Sequence, residues 1–291
     1  MHRPIGHIRN RHATRAAAGR PQAPGTILRQ PEDFAALDAA LAEFREAGVS
    51  ALAVEGGDGT VREVVSRAFG LWEGAPPPFA ILATGNTNLV ARSAGRLLAE
   101  ALGRDPASLR RRALPVLKAE RAGGDPLRGF ILGAGAYAAA TRWAREEAAA
   151  RHGLQVAVAV LRLLGSPQLR GPFEIGFAEA GAPAPSPRTL VAVTSLPGGL
   201  IWGLSPFWGG GEGPLRYLDV AAAPPRLAIG ALRAALGRPA RWMAPHWRSG
   251  RAPALNLAPG AEFVMDGEVF APGADGVVRL SAAETATFLS T

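Results

Sequence analysis

The chain has 291 residues, 48% of them hydrophobic and 19% charged, proportions of a globular protein long enough for two domains or one large α/β domain. It contains no cysteine, which excludes disulfides and thiolate metal sites and leaves oxygen and histidine as ligands for any metal. A formal charge of +8 favours an anionic partner without choosing among nucleotide, nucleic acid and acidic phospholipid.

No apolar run approaches the roughly 20 residues of a membrane span. The start, Met1-His2-Arg3-Pro4-Ile5-Gly6, lacks the apolar stretch of a secretory signal, which predicts a cytoplasmic location. Ile5-Gly6-His7-Ile8 reads as a short opening strand. Phe34, Leu37, Leu41 and Phe44 then recur at helical spacing, with Gly48 where a helix-terminating glycine belongs. A strand at Val49–Val54 ends in Gly56-Gly57-Asp58-Gly59-Thr60, and a helix follows with Val61, Val64, Val65 and Ala68 on one face. A strand at Phe79–Leu82 runs into Thr84-Gly85-Asn86-Thr87-Asn88, and Leu89–Leu98 reads as helix. This alternation predicts a parallel sheet that binds ligands at the carboxyl ends of its strands, where both polar clusters fall.

Beyond about Pro115 the pattern changes to short apolar runs punctuated by Gly and Pro: Leu190–Ser195, Leu215–Val220, Ala261–Met265 and Gly276–Leu280. They predict a mostly antiparallel second domain, with helices near Ala136–Ala150 and Arg226–Leu236 and a loop over Glu179–Arg188. The expected boundaries are 1–114 for a nucleotide-binding α/β domain and 115–291 for a β-rich substrate domain whose final segment can pack back on the first.

Three glycines between a buried strand and a helix suit close backbone approach or positive φ, with amides and the helix dipole available to phosphate. Asp58 then orients a ribose, water or metal ion, and Thr60 caps the helix or donates to phosphate. Glycines alone also suit an ordinary strand-to-helix turn, and Asn88 also suits a helix cap. Asp266-Gly267 after an apolar strand is the usual signature of a hairpin turn.

Gly56-Gly57-Asp58-Gly59-Thr60 followed by Val61-Arg62-Glu63-Val64 resembles the nucleotide-binding motif of the diacylglycerol kinase catalytic domain, shared with sphingosine kinases and bacterial lipid kinases. Gly85, Asn86 and Asn88 resemble that family's second loop, with Asn86 and Leu89 departing from the usual Thr and Asp. Phe263-Val264-Met265-Asp266-Gly267-Glu268 is similar to its Asp-Gly-Glu segment. The resemblance implies ATP and magnesium as cofactors, a lipid hydroxyl as acceptor, Asp266 as the group that takes the acceptor's proton, Glu268 in support, and Asp219 in a metal network. Asp219 equally fits an exposed strand charge.

The family's opening Asn-Pro-x-Ser-Gly loop is represented here only by Asn10 and basic residues such as Arg11 and Arg15. Two alternatives stay open: a kinase of a soluble acceptor such as NAD, and a catalytically weak relative that binds nucleotide or anionic membrane. The scattered arginines, with Arg110-Arg111-Arg112 at an expected helix end, argue against nucleic acid. A peripheral contact with anionic membrane is expected, through basic charge and the apolar segment Leu200–Trp208.

Overall fold

The computed structural model describes residues 3–11, 22–84, 88–148, 171–198 and 204–291. The chain divides into two compact units, Met1–Val116 with Glu284–Thr291, and Leu117–Ala283. Among the described residues no helix is long and apolar enough to cross a membrane.

The first unit is built on parallel strands. β1 (Ile5–Arg9) lies between β2 (Thr26–Arg29) and β3 (Ala51–Gly56), β3 pairs with β4 (Phe79–Ala83), and the end of β15 (Val278–Ser290) adds Phe288 beside Phe79. β3 is buried at every position, as a central parallel strand covered on both faces must be. Its pairing runs to Gly56 opposite Ala83, so the strand extends two residues beyond the expected Val54 and takes Glu55 into the interior.

Helix α1 (Phe34–Glu46) begins at Asp33, whose carboxylate accepts from the Ala36 amide at 2.7 Å, and buries Leu37, Ala40, Leu41 and Phe44. Phe34, expected on that face, is exposed under the Arg67 guanidinium. Helix α2 (Asp58–Leu71) buries Val61, Val64, Val65, Ala68 and Phe69 and packs on β3 and α1. Helix α3 (Leu89–Ala94) stops at Gly95, four residues short of the expected end.

In the second unit the pairing is antiparallel. β9 (Pro185–Thr194) pairs on one side with β7 (Ile131–Gly135) and β8 (Phe173–Ala178), and on the other with β10 (Leu215–Ala221). β10 pairs with β11 (Trp247–Ala252), and β12 (Ala254–Ala258) with β8 and the start of β15. β13 (Phe263–Met265) and β14 (Glu268–Phe270) form a hairpin on β7. Alternation along β9 and β10 sends Val191, Val193, Leu215 and Tyr217 into one core cluster, and Ala192, Leu218 and Val220 into another on the opposite face. Helix α4 (Ala136–Ala148) follows β7. Helix α5 (Leu227–Ala235) contributes Leu227, Ala231 and Ala234 to the second cluster.

Two expectations require correction. The segment Glu179–Arg188, read as a loop because of its prolines, is a strand from Pro185 onward. Pro185 and Ser186 pair only with β8, and Pro187, whose carbonyl accepts from Ala222 N at 3.1 Å, lies beyond the end of β10, so proline is tolerated because its missing N–H is not needed. Arg110-Arg111-Arg112 opens β5 (Arg110–Arg121), which pairs with β6 (Gly124–Gly129), and is not a helix end.

Candidate functional site

Within the first unit, the carboxyl ends of β1 and β3 and the amino end of α2 converge. Asn10 follows β1: its backbone amide donates to the Glu55 carbonyl at 2.9 Å and its side-chain amide to Thr60 Oγ1 at 2.8 Å. The glycines that were expected to make a loop do otherwise. Gly56 ends β3, Gly57 is the N-cap of α2 with φ −89°, and Gly59 is already helical, so none of the three has positive φ. What glycine supplies at position 56 is space, since a Cβ there would lie 2.6 Å from the Thr60 side chain. Thr60 stands in the first turn of the helix and not at its cap. The first intrahelical bond runs from Val61 N to Gly57 O, so the amides of residues 58–60 precede the helical ladder. A helix start of this kind favours an anion, by its amides and by its dipole.

Asp58 has a defined task. Its Oδ2 accepts from Leu89 N at 3.0 Å and its Oδ1 from Val90 N at 3.1 Å, which caps α3 from another element. Asn88 occupies the N-cap position of α3 in a left-handed conformation, without a side-chain cap bond. Gly85 and Asn86 lie outside the described residues.

Sequence reasoning missed a buried charged set directly behind this end of the sheet. Glu55 is wholly buried; its Oε2 accepts from Arg9 Nε at 2.8 Å and lies 3.2 Å from His7 Nε2. The signal was present: a glutamate closing a strand as apolar as Ala51–Val54 needs a buried partner.

In the second unit Asp266 forms the turn of the β13–β14 hairpin, with φ 46° followed by Gly267 at 87°. The hairpin reading therefore holds, but the side chain is not idle. Its Oδ2 accepts from Phe130 N at 2.8 Å and its Oδ1 from Ile131 N at 3.0 Å, while its own amide donates to Ile131 O at 2.9 Å. Gly129 makes room for it, since a Cβ there would fall 2.2 Å from Asp266 Oδ2. Glu268 follows on β14, half-buried, as the cross-strand partner of Met265.

Asp219 lies on β10, opposite Val191 and Arg248. Arg188 Nε reaches its Oδ1 at 2.8 Å and Arg248 Nη2 its Oδ2 at 3.5 Å. Both oxygens thus face guanidinium groups, and among the described residues no three His, Asp or Glu side chains gather as a metal cluster. This donor set does not fit a dedicated magnesium site. Nearby, burial and then the hydrogen bond from its hydroxyl to Glu179 push the Tyr217 phenol up to about 12.

Of the residues singled out, the fold thus joins Asn10, Gly56, Asp58, Thr60 and the start of α3 in one unit. Asp266 and Glu268 share a hairpin in the other, and Asp219 belongs to an arginine network.

Comparisons with known proteins bear on the family and the fold. Residues 12–112 match the family described as the Diacylglycerol kinase catalytic domain, a stretch that holds Gly56–Thr60 and Asn88 but not Asp219 or Asp266. No curated protein matches the chain. A diacylglycerol kinase crystal structure from Bacillus anthracis str. Sterne is similar over 99% of this chain and 97% of its own, at 15% identity and a TM-score of 0.62. A second crystal structure from that organism, provisionally described as a diacylglycerol kinase, is similar over the same shares at 16% identity and a TM-score of 0.69. Residues 12–112 therefore match a kinase catalytic domain, and the chain as a whole has the diacylglycerol kinase fold, parallel in its first unit and antiparallel in its second.

Proposed function

We propose that this protein is an ATP-dependent lipid kinase that moves the γ-phosphoryl group to a diacylglycerol-like hydroxyl. The observation that carries the reading is the start of α2: a helix N-terminus directly after a strand that ends in glycine, pinned to β1 by the Asn10–Thr60 bond, inside the segment that matches the kinase catalytic domain. That geometry supports phosphate binding by backbone, with Asp58 holding α3 in place beside it.

In the proposed transfer the bond from the γ-phosphorus to the β–γ bridging oxygen breaks, and the acceptor oxygen bonds to phosphorus. ADP leaves, and the hydroxyl proton passes to the Asp266 carboxylate. Two backbone amides hold that carboxylate in one orientation. Glu268 supports it from the same hairpin. Magnesium is proposed to arrive on the nucleotide phosphates, as it does where proteins supply few ligands of their own.

A second reading, nucleotide binding without transfer, is favoured by the commitment of both Asp266 oxygens to the Phe130–Ile131 backbone. One assay separates them. With γ-labelled ATP and extracted lipids, beside NAD and acceptor-free controls, label is expected in the lipid phase; label in NAD alone, or nucleotide binding with no transfer to any acceptor, would overturn the lipid kinase reading.

A further inference from the structure

Helix α5 has two unlike sides. Gly230 and Ala234 are buried, and a Cβ at Gly230 would sit 2.7 Å from the Trp247 ring, so this side lies flat on the sheet of the second unit. On the other side Ile229, Leu232 and the C-cap residue Leu236 are 54%, 61% and 53% exposed. Their spacing places them on a single stripe. Half of the six large apolar side chains exposed among the described residues stand on this stripe, which makes it a patch and not the ordinary scatter of a soluble surface.

Arginines frame the stripe. Arg226, Arg233, Arg238 and Arg241 are all exposed, and among the described residues none is ion-paired with a carboxylate. Residues 220–261 contain six arginines and no aspartate or glutamate. A partner for this face must accept leucine side chains and offer negative charge in the same plane. A second copy of the chain, related by a two-fold axis, would set these arginines against themselves. A nucleic acid would leave the apolar stripe in water. A bilayer interface with acidic headgroups satisfies both requirements. The segment first suspected of this role is less suited where it is described: Phe207 is buried and Trp208 packs against the core beneath α5, while Leu200–Gly203 lie outside the described residues.

We propose that α5 docks the protein on an anionic phospholipid bilayer, with Ile229, Leu232 and Leu236 entering the boundary between headgroups and acyl chains and the four arginines pairing with lipid phosphates. The assignment deepens the proposed lipid kinase reading, because a lipid hydroxyl is reached from such a surface. Its test does not depend on catalysis.

Co-sedimentation with vesicles of phosphatidylcholine, alone or mixed with phosphatidylglycerol, measures it. Binding of the wild type rises with phosphatidylglycerol and falls with salt. Ile229→Glu with Leu232→Glu abolishes it, and Arg233→Gln with Arg238→Gln weakens it about 25-fold, about five-fold per arginine. Circular dichroism of both variants matches the wild type. Equal binding of wild type and folded variants to the phosphatidylglycerol vesicles, or no binding by the wild type, overturns the proposal. So does a wild-type dimer in sedimentation velocity that Ile229→Glu with Leu232→Glu dissociates. Transfer to a short-chain diacylglycerol dispersed as monomers is unchanged in both variants. If the wild type fails at that transfer yet binds the vesicles, the kinase reading falls and the docking surface stands.

Discussion

Asp58 holds Leu89 from 31 residues away: its carboxylate lies 3.0 Å from the Leu89 amide, with the Val90 amide 3.1 Å from the other oxygen. One side chain therefore belongs to the first turn of α2 and serves as the cap of α3. The expected result for Asp58→Ala is a loss of roughly 1–2 kcal/mol of stability, as for other lost caps, together with weaker nucleotide binding. Urea unfolding and calorimetry check the two effects. Unchanged stability would mean that the capping bonds contribute nothing.

Asp266→Asn tests the proposed proton acceptor. Removing a general base lowers turnover roughly 10²- to 10⁴-fold, whereas nucleotide affinity is expected to hold. The asparagine NH₂ would also meet one of the two amides that now donate to the carboxylate, so a stability loss of about 1–3 kcal/mol accompanies the change. Gly129→Ala is the complementary variant. Its Cβ displaces the Asp266 carboxylate without altering its chemistry, and turnover is expected to fall with nucleotide affinity kept. Normal turnover in both variants would leave Asp266 a turn residue.

Glu55→Gln removes the charge that the buried Arg9 faces. Breaking a buried pair from one side costs roughly 3–5 kcal/mol, because the remaining charge has lost its partner. The urea midpoint is expected to drop accordingly. Since Glu55 directly precedes Gly56, nucleotide affinity is expected to fall together with stability.

The raised pKa of Tyr217 fixes the sign of one pH effect. Its phenol titrates at about 12 in the folded chain against about 10 when unfolded, so between those values the folded state binds more protons. Its contribution to stability is complete below about pH 10 and is lost as pH rises toward 12. Thermal melts across that range should decline less steeply in Tyr217→Phe. The ultraviolet titration of this variant should lack a late tyrosinate step that the wild type, with Tyr137 and Tyr217, displays.

Much of this protein is legible in local sequence. The parallel character of the first unit follows from the alternation of short apolar runs with amphipathic stretches, and Leu37, Leu41, Val61, Val64, Val65 and Ala68 are buried where helical periodicity puts them. The two helices of the second unit and four of its strands, β9, β10, β13 and β15, were readable at least in part for the same reason, because period and punctuation are properties of neighbouring residues. The tertiary structure alone decided what the polar residues do. Gly56-Gly57-Asp58-Gly59-Thr60 reads as a loop of flexible glycines, yet pairing with β4 extends the strand through Gly56 and the helix begins at Asp58. Asp58 and Asp266 each look like a free carboxylate beside a glycine. Their partners lie 31 and 136 residues away, and hydrogen bonds over such separations depend on how elements pack and leave no periodic trace in sequence. Asp219 turned to arginine for the same reason: Arg248 comes beside it through strand register and Arg188 from the neighbouring strand, and neither was predictable from Leu218-Asp219-Val220.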